Sequence, residues 1–334
     1  MNGNFVWRDA GRVVVFTEGG VEQAPQLLGE HGFDSFGLLA SRRALAGAPS
    51  LADAAAAICE MPPGPVPAAA GALLDSVRSA NLVALGGGRT IDTAKAIAAV
   101  SGARVAAIPT TLSGAEMTGI HRLAAGAEDR VRTMVRPHLA IADPEAMTSL
   151  PEPPLRASAM NALAHGADSL YTPFANPVSR MTALRGAELI ATALDQASAE
   201  RDRAALALGS ILCGYAIDSG MFAIHHVVCQ TLVRVCGTPH AETNAAILPR
   251  AMAFLAPRAP DGLEPLATAL GATPAAIEAR ILELGDDPAG LGDLGADRSC
   301  LDEALDSMLM RPELAFTPQP PTREDLQQLV ENAW

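Results

Sequence analysis

Four of the seven histidines fall between residues 165 and 240. Asn161 and His165 are spaced four apart, so on a helix they share one face. His225 and His226 are adjacent in a second helical stretch, and His240 follows Pro239 at the start of a third. Imidazole transfers protons near neutral pH, polarises oxygen atoms and ligates divalent metals. Three imidazoles with the amide oxygen of Asn161 make a four-donor set for divalent iron or zinc. The same groups can act on a substrate directly, and any one of them alone also reads as an ordinary core or surface histidine.

A second constellation is Gly86-Gly87-Gly88-Arg89-Thr90-Ile91-Asp92, which follows an apolar strand and opens a helix carrying Lys95. Glycines let a diphosphate approach the backbone, and a helix start offers N–H groups and positive potential. Ile91 stands where a G-x-G-x-x-G fingerprint has its third glycine. The turn therefore reads either as a phosphate cradle or as a plain glycine-rich connection, with Asp92 complementing the helix dipole. Pro109-Thr110-Thr111 and Ser113-Gly114-Ala115-Glu116 follow the next strand. Hydroxyls there lie where parallel sheets bind ligands, or they cap the strand end.

The elements that must position these residues change near residue 151. Before it, β-type runs (13–16, 36–40, 82–85, 105–108, 139–142) alternate with Ala/Leu-rich helical ones. That alternation predicts a parallel sheet covered on both faces. After Pro151 only helical patterns follow, over 154–171, 177–196, 204–218, 222–233, 241–255, 273–283 and 322–333. The expected fold class is α/β plus all-α, with domains at 1–151 and 152–334. A junction of this kind commonly forms a ligand cleft.

The chain has 334 residues and a net charge of −13, which disfavours nucleic acid as the main partner. Of its 24 cationic residues only Lys95 is a lysine. The charge-free run from Ala204 to Ile217 is too short to span a membrane and reads as a buried helix. Five cysteines without a CxxC pair, and no evident signal peptide, point to a reducing, cytoplasmic setting.

Taken together, the motifs resemble the iron-containing alcohol dehydrogenases. The resemblance runs through Gly86-Gly87-Gly88 with Asp92 and Lys95, and Ile108-Pro109-Thr110-Thr111 with Ser113-Gly114 and Glu116-Met117-Thr118. It continues through Asp143-Pro144, Asn161 with His165, Ala175-Asn176-Pro177, and His225-His226 with Pro239-His240-Ala241-Glu242-Thr243-Asn244. Ser113 to Thr118, Met160-Asn161-Ala162 and the double histidine look most like the maleylacetate reductase branch. The resemblance implies a dehydroquinate synthase-like fold, an N-terminal dinucleotide-binding domain, hydride transfer from NAD(P)H and a homodimer. It places the metal-ligand positions on Asn161, His165, His226 and His240. The diphosphate turn falls on Gly86, Gly87 and Gly88, and further cofactor contacts on Asp92, Thr110, Thr111 and Ser113.

Two departures bear on the chemistry. The first ligand position is Asn161 rather than aspartate, and an amide is the poorer ligand for a hard cation. Four residues after His226, a relay histidine of the family is replaced by Gln230, which cannot carry a proton. The expected activity is reduction of a small carbonyl or enoyl acid, with His225, His226 and His240 as catalytic residues and His225 as proton source. Arg122, Arg132 and Arg234 are the candidate partners for the substrate's acid group. A non-redox lyase or cyclase on the same fold, or a binding protein without activity, are the alternatives.

Overall fold

A computed structural model of the chain describes residues 11–127 and 134–334. Two compact units meet in sequence between Ser149 and Leu150.

The first unit holds strands β1 (Val13–Phe16), β2 (Gly37–Ala40), β3 (Ala57–Glu60), β4 (Asn81–Gly86), β5 (Arg104–Pro109) and β6 (Leu139–Ala142). Helices α1 (Gly20–Glu30), α2 (Arg42–Ala46), α3 (Pro49–Ala54), α4 (Val66–Leu73), α5 (Gly88–Ser101) and α6 (Pro144–Met147) connect or flank them. The sheet order is β1-β6-β5-β4-β2-β3 and every pairing is parallel. Beyond the polar first residues Asn81 and Arg104, strands β2, β4, β5 and β6 are apolar because both faces are covered. Alternate residues show this directly. Leu82 and Ala84 pack into one core with Ile91 and Ile97, while Val83 and Leu85 pack into another with Leu28 and Ile141.

One strand departs from the sequence expectation. β3 was not predicted, since Ala57-Ile58-Cys59-Glu60 is a short, largely exposed edge following an alanine run that reads as helix.

The second unit is helical, with α7 (Glu152–Asp168), α8 (Pro177–Leu194), α9 (Arg203–Gly220), α10 (Ile224–Val235), α11 (His240–Leu255), α12 (Pro260–Ala269), α13 (Ile277–Gly285), α14 (Leu301–Leu309) and α15 (Arg323–Glu331). The segments 260–269 and 301–309 were not among the expected helices. α7 is buried on nearly every side, which is why its sequence shows no clean polar face. Asn176 caps α8 through a reciprocal box with Ser179, and Pro177 occupies the first turn, where its missing N–H costs nothing. Among the described residues no single helix is long and apolar enough to cross a membrane.

A second correction concerns the cysteines. Cys236 at the end of α10 and Cys300 before α14 form a disulfide. Their separation of 64 residues carries no spacing signal, so folding alone brings them together.

Candidate active site

The two glycine- and hydroxyl-rich segments of the first unit lie side by side. Gly86 pairs with Pro109 at the carboxyl ends of β4 and β5, and the Thr110 amide donates to Gly86 O at 3.1 Å. Gly87 has φ −77° and ψ −174°, a conformation open to any residue. Space is what requires glycine there. A Cβ on Gly87 would stand 2.9 Å from Thr111 Cγ2, and one on Gly88 would stand 3.0 Å from Ser113 Cβ. Thr111 Oγ1 is buried beside this turn with no hydrogen-bond partner among the described residues. A cradle closed to Cβ atoms, a waiting hydroxyl and the start of a 14-residue helix fit a dinucleotide diphosphate.

Asp92 is engaged within the protein. Its Oδ1 lies 2.8 Å from Lys95 Nζ. Lys95 is fully buried and donates to Ala115 O at 2.9 Å and to Thr118 O at 3.0 Å, tying α5 to the loop after β5.

Glu116 sits in this same loop, fully buried, with both carboxyl oxygens lacking hydrogen-bond partners among the described residues. Burial pushes its pKa up to about 7, more than its own backbone N–H and Lys95 pull it down. The folded chain therefore holds this proton between pH 4.5 and about 7, where the unfolded chain releases it, and stability falls as pH rises through that window. Glu116→Gln is expected to remove this slope and to exceed wild type above pH 7. At about 1.4 kcal/mol per pKa unit the gain is on the order of 3 kcal/mol, less what a buried amide loses. Thermal unfolding from pH 5 to 8 checks it; identical slopes in both proteins refute it.

In the second unit the structure gathers most of the histidines. His165 and His226 stack with ring centroids 4.9 Å apart, and His225 stands edge-on to His226 at 4.9 Å. Asn161 is buried one turn before His165 on α7. His226 Nδ1 lies 2.6 Å from Asp168 Oδ2, a fully buried carboxylate that also accepts from the backbone N–H groups of Ala223 and His226 and from the Tyr171 hydroxyl. A carboxylate only accepts, so Nδ1 carries the proton and Nε2 presents its lone pair. That Nε2 is buried and has no hydrogen-bond partner among the described residues. Burial holds His226 down at about 3 and pushes Asp168 up to about 6, leaving a neutral imidazole on an ionised carboxylate at neutral pH.

His225 is placed otherwise than expected. Its ring is fully buried, Nε2 lies 2.9 Å from Asn244 Oδ1, and burial lowers its pKa to about 3. A buried imidazole that resists protonation does not suit a proton donor. Asn244 Nδ2 in turn lies 3.4 Å from His240 Nε2, and His240 is exposed at the start of α11.

Of the expected ligand set Asn161, His165, His226 and His240, the structure stacks His165 on His226 and places Asn161 one turn before His165. Among the described residues no three His, Cys, Asp or Glu side chains form a group able to hold a metal ion. Asn161 also brings a neutral amide where a carboxylate would offset the cation's charge. Three neutral imidazoles and an amide therefore make a weak set for a divalent cation.

Sequence reasoning missed two participants. Asp168 is the last residue of α7, three after His165, and an acid so close to that histidine was its available signal. Arg311 gives no such signal; its Nη2 donates to Gln230 Oε1 at 3.1 Å. Of the three expected arginines, Arg122 and Arg234 are exposed, and Arg132 lies outside the described residues.

Comparison with known proteins agrees with this architecture. Residues 12–144 match the family model "iron-containing alcohol dehydrogenase", and 156–334 match "Fe-containing alcohol dehydrogenase family, C-terminal". The chain therefore belongs to the iron-containing alcohol dehydrogenase family and is an NAD(P)-dependent oxidoreductase. Maleylacetate reductase 1 of Rhodococcus opacus is 38% identical over 263 residues, 76% of this chain and 72% of that protein. Maleylacetate reductase of Burkholderia cepacia is 35% identical, over 75% and 73%. The crystal structure of maleylacetate reductase from Rhizobium sp. strain MTP-10005 superposes with a TM-score of 0.87 at 28% identity, covering 99% of this chain and 98% of that one. Within the family the chain lies on the maleylacetate reductase branch, which favours a reductase over the non-redox and non-catalytic alternatives.

Proposed function

We propose that the chain reduces a small carbonyl or enoyl acid of the maleylacetate kind with NAD(P)H, residues 1–151 binding the dinucleotide and 152–334 the substrate. The observation that carries this reading is the buried, unpartnered Nε2 of His226, held in one tautomer by Asp168. The bound cofactor supplies the hydride. Gly86, Gly87 and Gly88 receive its diphosphate, with Thr110, Thr111 and Ser113 beside it; Asp92 acts through Lys95. His226 Nε2 accepts a hydrogen bond from the hydroxyl that forms when the substrate's oxo oxygen is protonated, with His165 stacked against its ring. Hydride added to the carbonyl carbon, or conjugately to the enoyl carbon, pushes an electron pair onto the substrate's oxo oxygen, and that oxygen calls for a proton. His240, exposed and steadied by Asn244, brings that proton from solvent, while His225 anchors Asn244 from the interior. From the family resemblance we also propose a homodimer.

The test is NADH and NADPH oxidation by the purified protein with maleylacetate and short 2-oxo acids. Turnover with maleylacetate is expected, and no oxidation across the panel overturns the reading. Elemental analysis tests the role of the imidazoles. Wild type is expected to hold far less than one metal per chain, and Asn161→Asp to hold more, because its carboxylate offsets one unit of charge. Stoichiometric iron or zinc in wild type would instead make the histidines ligands.

A further inference from the structure

Gln230 stands four residues beyond His226 on α10, so the two side chains share a face. The bond from Arg311 Nη2 occupies its Oε1 and leaves the two Nε2–H donors of the amide. Arg311 is itself held in a fork. Nε and Nη2 bond the two oxygens of Glu313 at 3.0 and 3.1 Å, which leaves Nη1. Its side chain is 20% exposed and borders a cavity of about 620 Å³, lined also by Arg234, Glu303, Asp306, Ser307 and Met310.

The charges around this corner select its ligand. Glu313 balances Arg311, and Asp306 is paired with Arg323 at 2.9 Å. Arg234, exposed at the end of α10, and Glu303 both line the cavity with opposite charges, so net charge there is small. Recognition must then rest on the direction of N–H groups. An amide NH₂ and a guanidinium NH₂, on side chains joined by the Nη2–Oε1 bond, offer two or more donors, the pattern that a carboxylate satisfies with both oxygens. A ketone, ester or alcohol would leave donors unmet.

We infer that Gln230 and Arg311 together form the specificity-determining corner that receives a carboxylate of the substrate, remote from the oxygen that faces His226. This rests on the reading of the substrate as one of the maleylacetate kind and gives a place to one of its two carboxyl groups. It also gives Gln230 a function in place of proton relay. A histidine donates from one edge only and would not hold Arg311 in the same way.

The experiment compares maleylacetate with the monomethyl ester of its carboxyl group farthest from the oxo carbon, using wild type, Arg311→Met, Arg311→Lys and Gln230→Met. The ratio of kcat/KM for diacid to that for ester is expected to fall at least 30-fold in Arg311→Met, chiefly through KM. It should fall about 10-fold in Gln230→Met, and lysine should rescue little because it lacks the planar fork. An unchanged ratio in both Met variants overturns the inference, as does an equal loss for both substrates. Should Arg311→Met fail to fold, Gln230→Met, which leaves the Arg311–Glu313 pair in place, decides by the same ratio. Calorimetric titration with maleylacetate, without reduced cofactor, separates this inference from the reductase reading. Binding that weakens in the Met variants supports the corner even if turnover is absent. No binding by wild type refutes the corner even if other acids are reduced.

Discussion

Gly87→Val is expected to abolish NAD(P)H binding while the helical unit stays folded. The conformation of Gly87 is ordinary, so valine meets no barrier in φ, and the effect must come from space. Its Cβ alone would lie 2.9 Å from Thr111 Cγ2 and 3.2 Å from Thr111 Oγ1, and the two methyls of valine must project further. They would displace Thr111 and cover the start of α5, where the backbone N–H groups have to reach a diphosphate. Fluorescence titration should show NADH and NADPH dissociation constants raised at least 100-fold. In thermal unfolding, a ligand at 100 times its dissociation constant adds roughly 2.7 kcal/mol. That shift should be present in wild type and absent in the variant. A second substitution separates the two physical causes. If the valine acts by pushing Thr111, then Thr111→Gly in the same chain should restore part of the affinity. If it acts by excluding the diphosphate, the double variant stays as weak as the single one. Wild-type affinity for both cofactors in Gly87→Val would remove the turn from the cofactor site.

The readable parts of this chain were local. Leu82 to Leu85 followed by three glycines and an amphipathic run announces strand, turn and helix within twenty residues, and the structure has β4 and α5 there. The hydroxyls after β5 were legible for the same reason, though not their contact with Gly87, which depends on the register of β4 against β5. The histidines were legible because the residue type is sparse and its chemistry narrow. Their orientations were not. His225 and His226 are neighbours in sequence, yet one turns to Asn244 and the other to Asp168, since successive helix residues point about 100° apart. Asp168 was passed over because an acid near a helix end ordinarily reads as solvated, and only its complete burial gives it meaning. Arg311 reaches Gln230 across 81 residues, and Cys236 meets Cys300 across 64, distances at which spacing carries no information.

Asp168→Asn should cost about 100-fold in kcat with little change in fold. The carboxylate accepts from four donors: His226 Nδ1, the backbone N–H groups of His226 and Ala223, and the Tyr171 hydroxyl. Alanine would leave all four buried and unmet, at roughly 1–3 kcal/mol each, and would test folding rather than chemistry. Asparagine keeps the shape but replaces one acceptor oxygen with a donor. Oδ2 takes His226 Nδ1 and both backbone N–H groups while Oδ1 takes only the Tyr171 hydroxyl, so the amide oxygen keeps the Oδ2 place and the NH₂ turns to the Tyr171 oxygen. Nδ1 then faces a neutral acceptor in place of a charged one, and Nε2 is a weaker acceptor for the substrate. The pH profile carries an independent signature. Wild type should lose kcat/KM as pH falls through about 6, where Asp168 takes up a proton and no longer fixes the tautomer. Asp168→Asn has no such proton to take up, so its residual activity should be flat across that range. A variant with wild-type kcat, or one that keeps the acidic limb unchanged, would show that Asp168 only fills space and that another group orients His226.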